Sequence, residues 1–139
     1  MPQTITLSAK TMVETARREI EEVSALTAIG LAADPSVILV DIRDPRELER
    51  EGRVPGAFHC PRGMLEFWID PESPYFKPRF GEDKKFVFFC AGGMRSVLAA
   101  KLAQDMGLKP VAHIIGGFKA WREAGGTVEM AAEKPATKG

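Results

Sequence analysis

The chain has 139 residues, 45% apolar and 27% charged, the balance of a single globular domain with a real core. Nineteen Lys and Arg offset nineteen Asp and Glu, which excludes the basic excess of a general nucleic-acid or anionic-membrane binder. No apolar run approaches the roughly 20 residues of a membrane helix, and two cysteines make no disulfide framework.

The opening MPQTITLSAK has neither a basic nor an apolar leader region, so no secretory signal is expected and the cytoplasm is the expected compartment. Ser8 can cap a first helix with Val13, Ala16 and Ile20 at helical spacing. A short extended piece follows near residues 20–23. Ser24 then opens a second helix that carries Leu26, Ile29 and Leu31 and stops before Asp34-Pro35. The run VILV, residues 37–40, has no polar alternation and reads as a strand covered on both faces, hence parallel.

Asp44, Pro45 and Glu47 form a helix-start signature, and Gly52 can end that helix. A turn at Pro55-Gly56 leads into a short strand ending near Cys60. Residues 61–83 hold four prolines and a helical turn near Met64 to Trp68; a connection this long is expected to cover a site. KFVFFC is the next buried strand. After the small-residue loop, a helix starting at Arg95 places Leu98, Leu102 and Met106 on one face. VAHII is a further strand, and GGFKAWREAGG reads as turn, helix and stop. Residues 1–19 are expected as a helical extension, 20–128 as the domain and 129–139 as a flexible tail.

Strands alternating with helices predict an α/β fold, a parallel sheet with helices on both faces. Ligands in such folds bind beyond the carboxyl ends of the strands, where Asp41 and Cys90 stand. Cys90 is followed by Ala91, Gly92, Gly93, Met94, Arg95 and Ser96. The glycines let successive N–H groups converge into an anion-binding nest, and the helix N-terminus and Arg95 add positive charge. All three favour thiolate over thiol, so Cys90 is expected as a nucleophile and residues 91–96 as its substrate-binding loop.

Other residues are ambiguous in the sequence. Ser96 either starts the helix or donates to the thiolate. Asp41 and Arg43 fit an ion pair supporting the loop slightly better than direct substrate contact. Arg62 is a rim charge or a solvated side chain, and Met94 an acceptor contact or an exposed filler. Cys60, His59, His113, Trp68 and Trp121 read as packing or hydrogen-bonded core positions.

CAGGMRS resembles the active-site loop of the rhodanese-like sulfurtransferases. LVDIRDPRELEREGRVPGA resembles that family's first signature, PRGMLEF a segment of some single-domain members, and IIGGFKAWREAGG the closing signature. The resemblance covers residues 20–128 and implies a three-layer fold with a five-stranded parallel sheet. It also implies that Cys90 carries a persulfide between two half-reactions. The implied donor is a small anionic sulfur compound such as thiosulfate or a persulfide. The implied acceptor is cyanide, a low-molecular-weight thiol or a protein thiol, and no metal or other cofactor is called for.

Two positions depart from the family pattern. Many thiosulfate-using members place an arginine directly after the cysteine, where this chain has Ala91. Arg53 stands where the first signature often has histidine. Ala91 leaves the loop one charge short, so weak use of thiosulfate is expected. A sulfur-relay or binding module acting on a protein partner is the alternative. A phosphatase or arsenate reductase stands further behind, because four residues rather than five separate Cys90 from Arg95.

Overall fold

The computed structural model describes residues 2–130. Ser8 caps α1 (Ala9–Arg17) by accepting the Thr11 N–H at 3.0 Å, and Ser24 caps α2 (Ala25–Leu31) by accepting the Thr27 N–H at 3.1 Å. Between them β1 spans Glu21–Val23, and β2 (Val37–Asp41) follows α2. At α3 (Pro45–Glu51), Asp44 accepts the Arg46 N–H while Glu47 reaches back to the Asp44 N–H, the reciprocal cap expected from the sequence. Gly52 ends this helix at φ +90°, a conformation that costs other residues strain.

The rest of the chain is β3 (Phe58–His59), α4 (Leu65–Ile69), β4 (Lys85–Phe89), α5 (Met94–Asp105), β5 (Val111–Ile114) and α6 (Gly117–Glu123). Short 3-10 turns at Arg62–Met64 and Pro78–Gly81 flank α4. The strands form one five-stranded parallel sheet in the order β1-β5-β4-β2-β3. Among the described residues no helix is long and apolar enough to cross a membrane.

Side chains alternate along each strand, so the sheet divides the core in two. Ile38, Val40, Phe86, Phe88 and Cys90 pack with α1, α4 and α5. Leu39, Val87, Phe89, Ala112 and Ile114 pack with α2 and α6. Both faces are buried, which is why the strands read as continuous apolar runs.

Several expectations are corrected. Leu26 is exposed, and α2 instead buries Ala25 and Ala28. In α5 the buried stripe is Ser96, Val97, Ala99, Ala100 and Ala103, small residues that let the helix approach the sheet. Leu98 and Leu102 flank that stripe and Met106 is exposed. The helix begins one residue early, at Met94, because Gly93 in the left-handed conformation takes the cap position.

Residues 61–83 help to seal the core. Leu65, Ile69 and Phe80 are buried, and Phe58 packs against both Trp68 and Phe80. At the start of the expected tail, Glu129 exchanges two backbone hydrogen bonds with Arg53, at 2.8 and 2.9 Å. Residues 131–139 of that expectation lie outside the described residues.

Candidate active site

Cys90 follows β4 directly, at the carboxyl end of a central strand, and its side chain is buried on the α5 face. The loop then turns so that two backbone donors meet its sulfur. Gly93 N–H approaches Sγ at 3.1 Å and Ser96 N–H at 3.4 Å. The Gly93 φ of +104° produces this curl, and an added Cβ there would press on the Gly116 backbone nitrogen at 3.1 Å.

The loop carbonyls point the other way. Phe118 N–H donates to the Cys90 carbonyl at 2.7 Å and Lys119 N–H to the Ala91 carbonyl at 3.1 Å. The first turn of α6 thus binds the oxygens of the peptides whose neighbours face the sulfur. Gly117 allows this approach, since any Cβ there would collide with the Cys90 and Ala91 carbonyls. Two N–H groups aimed at one sulfur stabilise negative charge on it or on an atom attached to it.

Ala91 is half-buried, whereas Gly92 and Met94 are exposed around the buried cysteine. Arg95 does not stand free over the loop. Its two terminal nitrogens each bond one carboxylate oxygen of Glu47, both at 2.9 Å. The hydrogen bonds from Arg95 pull the Glu47 carboxyl down to about 2. Glu47 in turn raises the Arg95 pKa, with a smaller contribution in the same direction from Cys90. The expected anion-binding fork is therefore a half-exposed ion pair beside the cysteine.

Asp41 and Arg43 form a buried ion pair, with Arg43 Nη2 at 2.7 Å from Asp41 Oδ2. Arg43 also donates to the Gly52 carbonyl at 2.9 Å and lies 4.1 Å above the Phe118 ring. This pair ties the β2 end to α6 at Phe118, itself a donor of the loop's carbonyl clamp, and both members are 1% exposed. Its polar atoms are turned to one another and to the Gly52 carbonyl. Arg62 bonds Glu66 at 3.2 Å and borders a groove between α1 and α5.

Cys60 is packed in the core, where burial pushes its thiol up to about 12. His59 bonds the Arg43 carbonyl at 2.7 Å and Trp121 donates to the Thr127 carbonyl at 2.8 Å. Both are satisfied structural groups. Met94 is exposed at the loop tip. Ser96 does not start the helix, which begins at Met94; its N–H reaches Sγ and its hydroxyl lies 3.6 Å from Sγ. Among the described residues, no group of three or more His, Cys, Asp or Glu is placed to hold a metal ion.

Three groups around the loop were not singled out by the sequence pattern. Glu47 was legible as a capping residue but not as the partner of Arg95, 48 positions away. Gly117 was legible as a turn glycine but not as the close neighbour of Cys90. His113 was legible as a strand residue, yet strand parity already places it on the α5 face, because Ala112 and Ile114 occupy the other.

A family model of the rhodanese-like domain matches residues 24–124. The human thiosulfate:glutathione sulfurtransferase is 32% identical over 111 residues, covering 75% of this chain and 90% of that protein. The thiosulfate sulfurtransferase GlpE of Tolumonas auensis is 31% identical over 104 residues, covering 75% and 90%. A solved structure from Rhodopseudomonas palustris is 65% identical with a TM-score of 0.90, covering 93% of this chain and 99% of that one. That protein is described as of unknown function and a possible tyrosine phosphatase. The family match spans most of the chain, with Cys90 and its loop inside it, and the chain belongs to the rhodanese-like family.

Proposed function

We propose that this protein is a rhodanese-type sulfurtransferase that carries sulfane sulfur on Cys90. Sulfurtransferase-named relatives support the general activity. The observation that carries the mechanism is the pair of backbone N–H groups, from Gly93 and Ser96, aimed at the Cys90 sulfur. They favour a thiolate before the reaction and a charged terminal sulfur after it.

In the first half-reaction the Cys90 thiolate attacks the outer sulfur of the donor. The donor's S–S bond breaks and its electron pair leaves with sulfite or with a thiolate. Cys90 then holds a persulfide anion. In the second, cyanide or a thiolate attacks the terminal sulfur, the persulfide bond breaks, and the pair returns to Cys90. No proton transfer to the leaving group is needed, because both leaving groups are stable anions. Cys90 is 1% exposed, so a bulky acceptor meets the terminal sulfur, one S–S bond (~2 Å) beyond Sγ.

The description of the Rhodopseudomonas palustris protein raises phosphoryl chemistry as a second reading. A phosphate monoester needs a forked cation and a wide ring of N–H donors around three oxygens. Here both terminal nitrogens of Arg95 are engaged by Glu47, and the loop is one residue short of the phosphatase spacing. Sulfur transfer fits the loop better.

Intact-protein mass after separate exposure to thiosulfate and to a low-molecular-weight persulfide tests the reading. One added sulfur mapping to Cys90 is expected. Hydrolysis of an aryl phosphate with no sulfur gain from either donor would replace it with the phosphatase reading.

A further inference from the structure

The Cys90 sulfur is the inner end of a line of polar groups that leads through the core to a cleft beside the Cys90 loop. Ser96 Oγ lies 3.6 Å from Sγ, and 3.0 Å from His113 Nδ1. His113 Nε2 lies 2.8 Å from Glu22 Oε2, and Arg17 Nε binds the same carboxylate oxygen at 3.0 Å. Cys90, Ser96 and His113 are all at most 2% exposed. Glu22 is reached by solvent, at the edge of a cleft of about 170 Å³ that Val13, Arg17, His113 and Gly93 also line.

The chemistry of the end group fixes the direction of each bond. A carboxylate only accepts, so Glu22 takes the Nε2 proton of His113. Neutral His113 then presents a bare Nδ1, which at 3.0 Å is a closer acceptor for the Ser96 hydroxyl proton than the Gly93 carbonyl at 3.4 Å. With that proton committed, Ser96 Oγ offers Cys90 a lone pair, so the group it suits is a thiol donating S–H. If His113 gains a proton at Nδ1, the two inner bonds reverse while Nε2–H still donates to Glu22. Nδ1–H donates to Ser96, and the Ser96 hydroxyl donates to a Cys90 thiolate.

We infer that Ser96, His113 and Glu22 form an internal proton relay that ionises Cys90. This rests on Cys90 being the nucleophile of the proposed sulfur transfer, and it adds the proton acceptor that the mechanism left unnamed. The S–H bond breaks with its pair left on sulfur, and the proton joins Ser96 Oγ. The original Ser96 hydroxyl proton passes to His113 Nδ1. Serine is unchanged, and a thiolate and an imidazolium replace a thiol and an imidazole. No oxidant, metal or external base takes part. Glu22 supplies the counter-charge for the imidazolium, and Ser96 and His113 are positioning residues that act through the cysteine.

The charged and titratable groups facing His113 are Glu22 from β1, Arg17 from α1, and Cys90 on the far side of Ser96. Burial lowers the His113 pKa and Glu22 opposes that shift. The resting ring is therefore neutral, and the imidazolium that the relay forms depends on the Glu22 carboxylate to offset its burial. Partial desolvation works to raise the Glu22 pKa, but hydrogen bonds from His113 and Arg17 outweigh it and keep the carboxylate charged. The helical extension thus has a part in the site, because α1 supplies Arg17 to the outer end of the line.

The test is the pH dependence of iodoacetamide alkylation at Cys90, read by peptide mass, in wild type, Ser96→Ala, His113→Gln and Glu22→Gln. A lone thiol loses about tenfold in rate per pH unit below its ionisation, whereas an internally formed thiolate keeps a reactive plateau. The wild type is expected to react ~10-fold faster or more than His113→Gln at pH near 5.5, and within about twofold at pH near 9.5. Ser96→Ala should reproduce the acid-side loss, and Glu22→Gln should show part of it. Should His113→Gln fail to fold, the other two variants decide the matter alone. Acid-side rates equal to wild type in the folded variants, with only a lower Tm, would make the line structural and overturn the inference. Alkylation needs no sulfur donor, so absence of a persulfide would reject the sulfurtransferase reading without altering this profile.

Discussion

Arg95 and Glu47 are joined by two parallel hydrogen bonds of 2.9 Å, across 48 positions of sequence, at the mouth of the Cys90 loop. The carboxylate cancels much of the field that an isolated arginine would offer an anionic donor. It also fixes the guanidinium beside the loop, at a surface position where a free side chain would wander.

Glu47→Gln should therefore improve the use of thiosulfate. The amide still reaches back to cap α3, while Arg95 regains its uncompensated charge. A gain of about fivefold in kcat/KM is expected, as for ~1 kcal/mol from a half-exposed charge. Arg95→Ala should lose more than that, because it leaves a bare carboxylate facing the donor. Adding Glu47→Gln to Arg95→Ala should recover part of the loss. Equal kinetics for Arg95→Ala with and without Glu47→Gln would show that the carboxylate does not oppose the donor.

The same pair carries a pH signature. Glu47 is held at about 2 against an ordinary value of 4.5. Its folded pKa is depressed, so its stabilisation is fully present above about 4.5 and is lost as pH falls towards about 2. Chemical denaturation across that window should show wild-type stability falling more steeply than that of Glu47→Gln.

Ala91 provides a second route to a stronger loop field. Ala91→Arg adds a cation directly after the cysteine at a half-buried position. It should improve thiosulfate kcat/KM by about fivefold at low ionic strength, with less effect on a persulfide donor carrying less charge. If the wild type saturates at low thiosulfate and the substitution changes neither donor, selection lies elsewhere than loop charge.

Cys60 and Cys90 should differ sharply in reactivity although both are buried. Cys60 sits among apolar groups with its thiol pushed up to about 12, whereas Cys90 Sγ faces two N–H donors. Alkylation of the folded protein near pH 8 should label Cys90 alone, and unfolding should expose both. Labelling of Cys60 at a comparable rate in the folded state would count against the loop as the source of reactivity.

Gly117→Ala tests the clamp beneath the loop. The position has φ +61°, and the new methyl group would sit 2.8 Å from the Ala91 carbonyl oxygen. A loss of ~2 kcal/mol or more in stability is expected, from strain and overpacking together. Activity should fall beyond what stability explains, because the Cys90 and Ala91 carbonyls lose their α6 donors and the N–H groups lose their aim. A folded variant with full activity would show that α6 does not set the loop.

The sequence by itself determined the alternation of parallel strands and helices, the caps at Ser8, Ser24 and Asp44, and the loop that begins at Cys90. These are local matters: apolar periodicity, side-chain oxygens one turn from free N–H groups, and glycines where the backbone must curl. Tertiary structure alone decided which distant groups meet that loop. Nothing in the spacing of Glu47 and Arg95, or of Glu22, Ser96 and His113, records that β-strand register and helix packing bring them together. It also decided which side of α5 is buried, because the sheet takes the small-residue stripe of Ser96, Val97, Ala99, Ala100 and Ala103 and leaves Met106 outside. Periodicity defines a face of a helix, but the depth to which that face sinks depends on the surface it meets.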